Sequence, residues 1–136
     1  MKNIVFMSIK EQHIKRILNK SKNHEFRTRI PSRIVNYIIV YVPTPIKELK
    51  YILKVKNPIK APNKIKIEGI GNREFNEVKK GKYAYPIENV YVLNKSLKLK
   101  ELRDRFNFTA PQSFAYGDRY KEILKFIEKT GITKLY

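Results

Sequence analysis

Residues Asn36 to Val42 read Asn-Tyr-Ile-Ile-Val-Tyr-Val, and Pro43-Thr44-Pro45 follows at once. From Tyr37 onward both parities of the run are apolar. A strand turns alternate side chains to opposite faces, so this one must be central and covered on both sides. The prolines stop it firmly. At six residues, Tyr37 to Val42 is also the longest apolar run in the chain. A membrane helix needs roughly 20, so no membrane partner is expected. The apolar N-terminal run is interrupted at Ser8 and Lys10, too early for a signal-peptide core, and a cytoplasmic location is expected.

Other elements arrange themselves around that strand. Asn3–Ile9 reads as a buried strand. Lys10–Lys20 reads as an amphipathic helix, with Ile14, Ile17 and Leu18 at helical spacing. In Asn23–Ile30, taken as a strand, Glu25, Arg27 and Arg29 share one face. Leu49–Lys56 places Tyr51, Leu53 and Val55 together, and Lys64–Glu68 alternates like a short edge strand. Asn72 is set to cap a helix over Asn72–Lys80. Lys82–Leu93 is a strand bent at Pro86. Helices follow over Leu99–Phe106 and after Asp118, which is set to cap the last one, where Tyr120, Ile123, Leu124 and Ile127 keep one face. The sum is about five strands and four short helices without regular β-α-β spacing. That is an α+β chain, a small curved sheet closing toward a barrel with helices at its ends. At 136 residues it is expected to be a single domain over 1–136.

Charge sets the partner class. Thirty Lys and Arg stand against twelve Asp and Glu, a net of +18. Such a surplus disfavours self-association, so a monomer is expected, and it favours polyanions. A/T-rich codons offer an ordinary source for the many Ile, Lys, Asn and Tyr residues. They do not favour Arg, yet four of the eight arginines (Arg16, Arg27, Arg29, Arg33) fall within eighteen residues. Residues 1–33 carry nine basic and two acidic side chains, whereas 101–136 carry seven and five. There is no Cys and only His13 and His24, so no metal site and no cofactor is expected. Gly69 and Gly71 form a lone G-x-G, too little for a phosphate loop.

Several segments in order resemble the ASCH (activating-signal-cointegrator homology) domain, a relative of the PUA domain. They are Ser8-Ile9-Lys10, Ile17-Leu18, then Lys22-x-x-Glu25-Phe26-Arg27-x-Arg29-Ile30-Pro31, the Tyr37–Val42 strand with Thr44-Pro45, and Ala110-Pro111-Gln112-Ser113-Phe114. Lys22, Glu25 and Arg27 match a signature close to G-x-K-x-x-E-x-R; Lys20 stands in the glycine's place. The last segment is similar to a P-P-Q-S-F stretch of longer members. The resemblance runs from Phe6 to about Tyr116. It implies a PUA-like pseudo-barrel of five to six strands, with a cleft between the barrel and the helix before the motif. It also implies binding of nucleic acid, RNA over DNA, with a flipped or modified base read in that cleft. Some members hydrolyse an acyl amide on a modified cytidine and others are described as nucleases. A small hydrolase acting on a modified nucleoside or on RNA is therefore the alternative function.

The residues carry this chemistry as follows. Glu25 can accept from a base's exocyclic N–H, and Arg27 offers a fork of donors to phosphate or to Glu25 itself. A plain surface ion pair is the ordinary alternative. Lys10, Lys22, Arg29 and Arg33 are candidate phosphate contacts. Tyr41, Thr44 and Phe114 are candidate cleft-lining groups, against the ordinary reading of core packing. Tyr83 and Tyr85 share one strand face after Lys79, Lys80 and Lys82, a weak sign of a nucleic-acid groove. Gln112 and Ser113 suit a base-edge reader, or a loop pinned to the barrel by hydrogen bonds. In the hydrolase reading Lys22 and Glu25 are catalytic. Asn23 weakens that reading, since it lacks the hydroxyl of the Thr that follows the motif Lys in the amidohydrolase-type members.

Overall fold

The computed structural model describes residues 1–136. The chain runs β1 (Ile4–Ser8), α1 (Glu11–Leu18), β2 (His24–Arg27), β3 (Tyr37–Val42), β4 (Glu48–Val55), β5 (Ile59–Lys60), α2 (Asn72–Asn76), β6 (Tyr83–Lys98), α3 (Leu99–Phe106), β7 (Ala115–Tyr116), α4 (Lys121–Thr130) and β8 (Ile132–Lys134). The main sheet has the order β2-β6-β4-β3-β1-β7, with β5 and β8 also pairing β6. β1 and β3 are parallel and every other pair is antiparallel.

The curl of this sheet comes from β6. Its first residues, Tyr83 to Pro86, pair with β2 and β5, while Ile87 to Lys98 pair with β4 and β8. The β4 register slips between Lys54 and Val55, opposite Asn89 and Ile87 and just past Pro86. A bulge beside a proline bends a strand and increases its twist. One long strand thus serves both walls of a half-barrel.

β3 is covered on both faces, as its sequence demands. Ile38, Val40 and Val42 face an apolar interior shared with Val5, Met7, Ile14, Ile17, Leu53 and Tyr85. Ile39 and Tyr41 face the opposite layer, where Phe6, Ile52, Phe108, Tyr120 and Ile123 pack under α3 and α4. A third, small cluster joins Ala61, Ile65, Phe75 and Ala84 with Phe26 beneath α2.

Several local expectations are corrected. Lys64–Glu68 is not a strand, because the Ile65 backbone bonds to Asn76: its N–H donates to Oδ1 at 2.7 Å and its carbonyl accepts from Nδ2 at 2.9 Å. Asn72 does not cap α2; left-handed Gly71 (φ 86°) holds that place and Asn72 is the first helical residue. Asp118 caps nothing and instead pairs with Arg33 at 2.8 Å. Eight strands form rather than five, because β5, β7 and β8 are only two or three residues long. No helix is long and apolar enough to cross a membrane.

Candidate nucleic-acid interface

β2 carries the motif and divides it between two faces. Lys22, just before the strand, His24 and Phe26 turn one way. The Lys22 ammonium sits 4.7 Å from the centre of the Phe26 ring, and His24 stacks on the same residue at 6.3 Å. Phe26 in turn lies against Phe75 at 5.8 Å. Glu25 and Arg27 turn the other way, opposite Tyr85 and Tyr83 of β6. Arg29 does not share their face, because the strand ends at Arg27; it is exposed in the bend beyond.

Arg27 closes the barrel. β2 is one end of the main sheet, and β1 with β7 forms the other. The Arg27 guanidinium reaches across: Nη2 donates to the Ser8 carbonyl at the end of β1 at 2.9 Å, and Nη1 donates to the Ser113 carbonyl before β7 at 3.3 Å. Nε and Nη2 also hold Glu25 Oε2 at 3.1 and 2.9 Å. Ser8 Oγ donates to the Pro111 carbonyl at 2.8 Å, pinning the same loop. A planar fork with fixed donors suits this three-way junction. The donors expected to meet phosphate are therefore occupied by the protein itself. Five surface hollows, of 230 to 640 Å³, are lined by other residues than Lys22, Glu25 and Arg27.

Lys22 has no such partner. It is only 5% exposed and belongs to none of the ion pairs in the structure. Burial pushes its amine below the ordinary lysine value; Glu25 pulls the other way, while Arg16, Lys82 and Arg27 lower it further. Burial pushes the Glu25 carboxyl above its usual range, against the pull of Arg27 and Lys22. His13 Nδ1 is buried with no partner, and burial together with Lys22, Arg16, Lys10 and Arg27 keeps the ring below its normal value. Lys10, His13, Arg16 and Lys22 thus gather around one place, and the nearby carboxylate is already held by Arg27.

Asn23 works as a structural hub. Its Oδ1 accepts from Asn72 Nδ2 at 2.9 Å and lies 2.6 Å from His24 Nδ1, while its Nδ2 donates to the Glu68 carbonyl at 2.8 Å. The G-x-G segment explains itself here. A Cβ on Gly69 would come within 2.6 Å of Asn23 Oδ1, and one on Gly71 within 2.6 Å of the Phe26 ring. Both glycines serve close approach to β2 rather than phosphate binding. The motif's missing glycine has a conformational reading too: Lys20 is left-handed at φ 70°, a region that favours glycine.

The other predicted residues are dispersed. Lys10 and Gln112 are exposed, Thr44 is exposed in the turn after β3, and Ser113 contributes its carbonyl to Arg27. Phe114 is half-buried against Tyr116 at 5.4 Å. Tyr41 is 2% exposed beside Phe108, behind the sheet, so it cannot stack on a base. Tyr85 is likewise buried in the barrel interior. Arg33 is engaged elsewhere, over the Tyr116 ring at 3.9 Å and on Asp118. The sequence counts Arg16 in the arginine cluster but does not place it, His13 or Phe26 among the site residues. The signal for the first two was a polar one, Lys10, His13 and Arg16 at i, i+3 and i+6 on α1.

No protein family matches the sequence, and no curated protein is similar to it. Solved structures are similar in shape. The ASCH protein of Zymomonas mobilis superposes with a TM-score of 0.68 at 20% identity, over 96% of this chain and 98% of that one. A tyrosine-to-phenylalanine variant of the same protein gives 0.68 at 20% identity, over 96% and 100%. A serine-to-alanine variant gives 0.67 at 20% identity, over 96% and 98%. The curled sheet with its four short helices matches these structures over nearly the whole chain, so this protein has the α+β half-barrel fold of the ASCH domain.

Proposed function

We propose that the chain is a nucleic-acid-binding module that takes single-stranded RNA at the junction of α1 and β2, acting as a cytoplasmic monomer. The observation that carries this reading is Lys22, an ammonium 5% exposed that has no carboxylate partner. Burying an unpaired charge is costly. A phosphate arriving among Lys10, Arg16 and Lys22 supplies the missing counter-charge. Both Arg27 contacts on Glu25 go to Oε2, which leaves Oε1 to accept from the amino group of a flipped base. The net +18 adds long-range attraction. The test is a fluorescence-anisotropy titration of labelled single-stranded RNA at several salt concentrations. Affinity falls steeply between about 50 and 200 mM salt as counterions are released. RNA is preferred over DNA of the same sequence. A flat salt response removes the reading.

One observation favours a second reading, a hydrolase acting on a modified nucleoside. A lowered amine (Lys22) and a raised carboxyl (Glu25) stand three residues apart and each feels the other's charge, the kind of pairing that general acid–base chemistry uses. Asn23 speaks against it, since its side chain is committed to Asn72 and Glu68. Turnover of N-acylated cytidine that disappears in Lys22→Ala would establish it, and no turnover dismisses it.

A further inference from the structure

We propose that Lys22 and Lys82 form a two-lysine clamp for a single phosphodiester group above the Phe26 ring, on the α2 side of β2. This rests on the nucleic-acid reading and extends it to a face outside the Glu25–Arg27 side of the motif. Lys82 immediately precedes β6, and its backbone is fixed by the Ala61 N–H, which donates to the Lys82 carbonyl at 3.0 Å. Lys82 lies two residues before Ala84, which pairs with Phe26, so its side chain comes to the Phe26 side. Its ammonium is 5.5 Å from the ring centre, and that of Lys22 is 4.7 Å from the same centre.

Two like charges are therefore held over one ring. Neither takes part in an ion pair, and Lys82 is close enough to help lower the Lys22 amine. The ring attracts both cations weakly but does nothing for their mutual repulsion. The seat itself is rigid. Phe75 stacks on Phe26 at 5.8 Å, and Gly71 presses on the ring so closely that any Cβ would reach 2.6 Å. The two non-bridging oxygens of a phosphodiester can take one ammonium each, which cancels the repulsion. A nucleic-acid strand then continues from α1 across Lys22 toward β6.

The test is binding of a labelled single-stranded RNA across a salt series, with Lys22→Ala, Lys82→Ala, the double variant, and Lys129→Ala as control. Lys129 is exposed on α4 and belongs to no ion pair. Thermal melts confirm that each variant is folded, and Lys82→Arg keeps the charge. Lys82→Ala is expected to weaken binding about three- to tenfold, and Lys82→Arg to restore most of it. If the two lysines share one phosphate, the double variant loses about 0.7 from the salt slope, the single-strand increment for one contact, and not twice that. A Lys82→Ala that behaves like Lys129→Ala while Lys22→Ala weakens binding overturns the clamp alone. No effect from either lysine overturns the nucleic-acid reading as well. A double variant that loses two increments shows two separate phosphates and contradicts the shared one.

Discussion

The apolar layer behind the β1–β3 wall and the seam at β2 are built on opposite principles. Behind the wall, under α3 and α4, the layer is apolar throughout: Phe6, Ile39, Ile52, Phe108, Ile123 and Ile127 are all 2% exposed or less. Phe6 meets Phe108 and Tyr120 edge-on at 6.0 and 5.4 Å. At the seam, the chain instead buries Lys22, His24, Glu25 and Asn72. It closes the sheet with a guanidinium rather than with a strand ladder. The apolar layer gains from water exclusion alone. The seam gains from Arg27 but carries an unpartnered ammonium and two unpartnered buried atoms, His13 Nδ1 and Asn72 Oδ1. One region holds the fold together, and the other gives up stability where the site is proposed.

The largest effects separate these roles. Arg27→Ala strands Glu25 in the interior and is expected to cost about 3–5 kcal/mol in urea unfolding, freeing the 111–113 loop at the same time. Replacing both partners, Glu25→Leu with Arg27→Met, costs far less than that, since no charge is left buried. Ile52→Ala costs a comparable 2–5 kcal/mol (about) through the cavity it opens, yet it leaves RNA affinity unchanged in whatever fraction remains folded. If Ile52→Ala weakened binding as much as Arg27→Ala, the division would fail.

Gly71→Ala is expected to cost about 1–3 kcal/mol, since it combines positive φ with a clash on Phe26. The pH response comes next. Burial and Lys22 hold His24 below its ordinary 6.5. A lowered base contributes stability that is present above 6.5 and lost as the pH falls through its folded value. Glu25 is raised, so its contribution runs the opposite way, present below 4.5 and lost as the pH rises through its folded value. Urea midpoints between pH 7 and 5 should therefore fall less in His24→Gln than in the wild type. The smallest effect is Lys20→Gly. Relief of a left-handed lysine is partly offset by chain entropy and by the lost Lys20–Tyr136 contact at 4.8 Å, leaving a gain of at most about 1 kcal/mol.

Much of the fold was legible because its signals were long or redundant. β3 announced itself through apolar residues on both parities, and α4 through Tyr120, Ile123, Leu124 and Ile127. β7 and β8 are too short to carry a period. Lys64–Glu68 carried a false one, because the Asn76 amide takes the Ile65 backbone out of any ladder. At the site, the order Lys22, Glu25, Arg27 was readable, and so was the shared face of Glu25 and Arg27. Arg27's targets were not, since Ser8 and Ser113 lie far away in sequence and offer only carbonyls. Tyr41 misled because alternation tells which residues share a face but not which face meets solvent.

The central claim is that Lys22 is kept at a cost to stability in order to meet an anion. Thermal melting of the wild type and of Lys22→Met, each with and without single-stranded RNA, tests it most directly. Methionine keeps the apolar stem over Phe26 and removes the charge. The account predicts that Lys22→Met melts about 2–4 °C higher than the wild type for each kcal/mol recovered, and that RNA raises the wild-type midpoint but not the variant's. A variant that melts lower than the wild type, or that RNA stabilises equally, would contradict it.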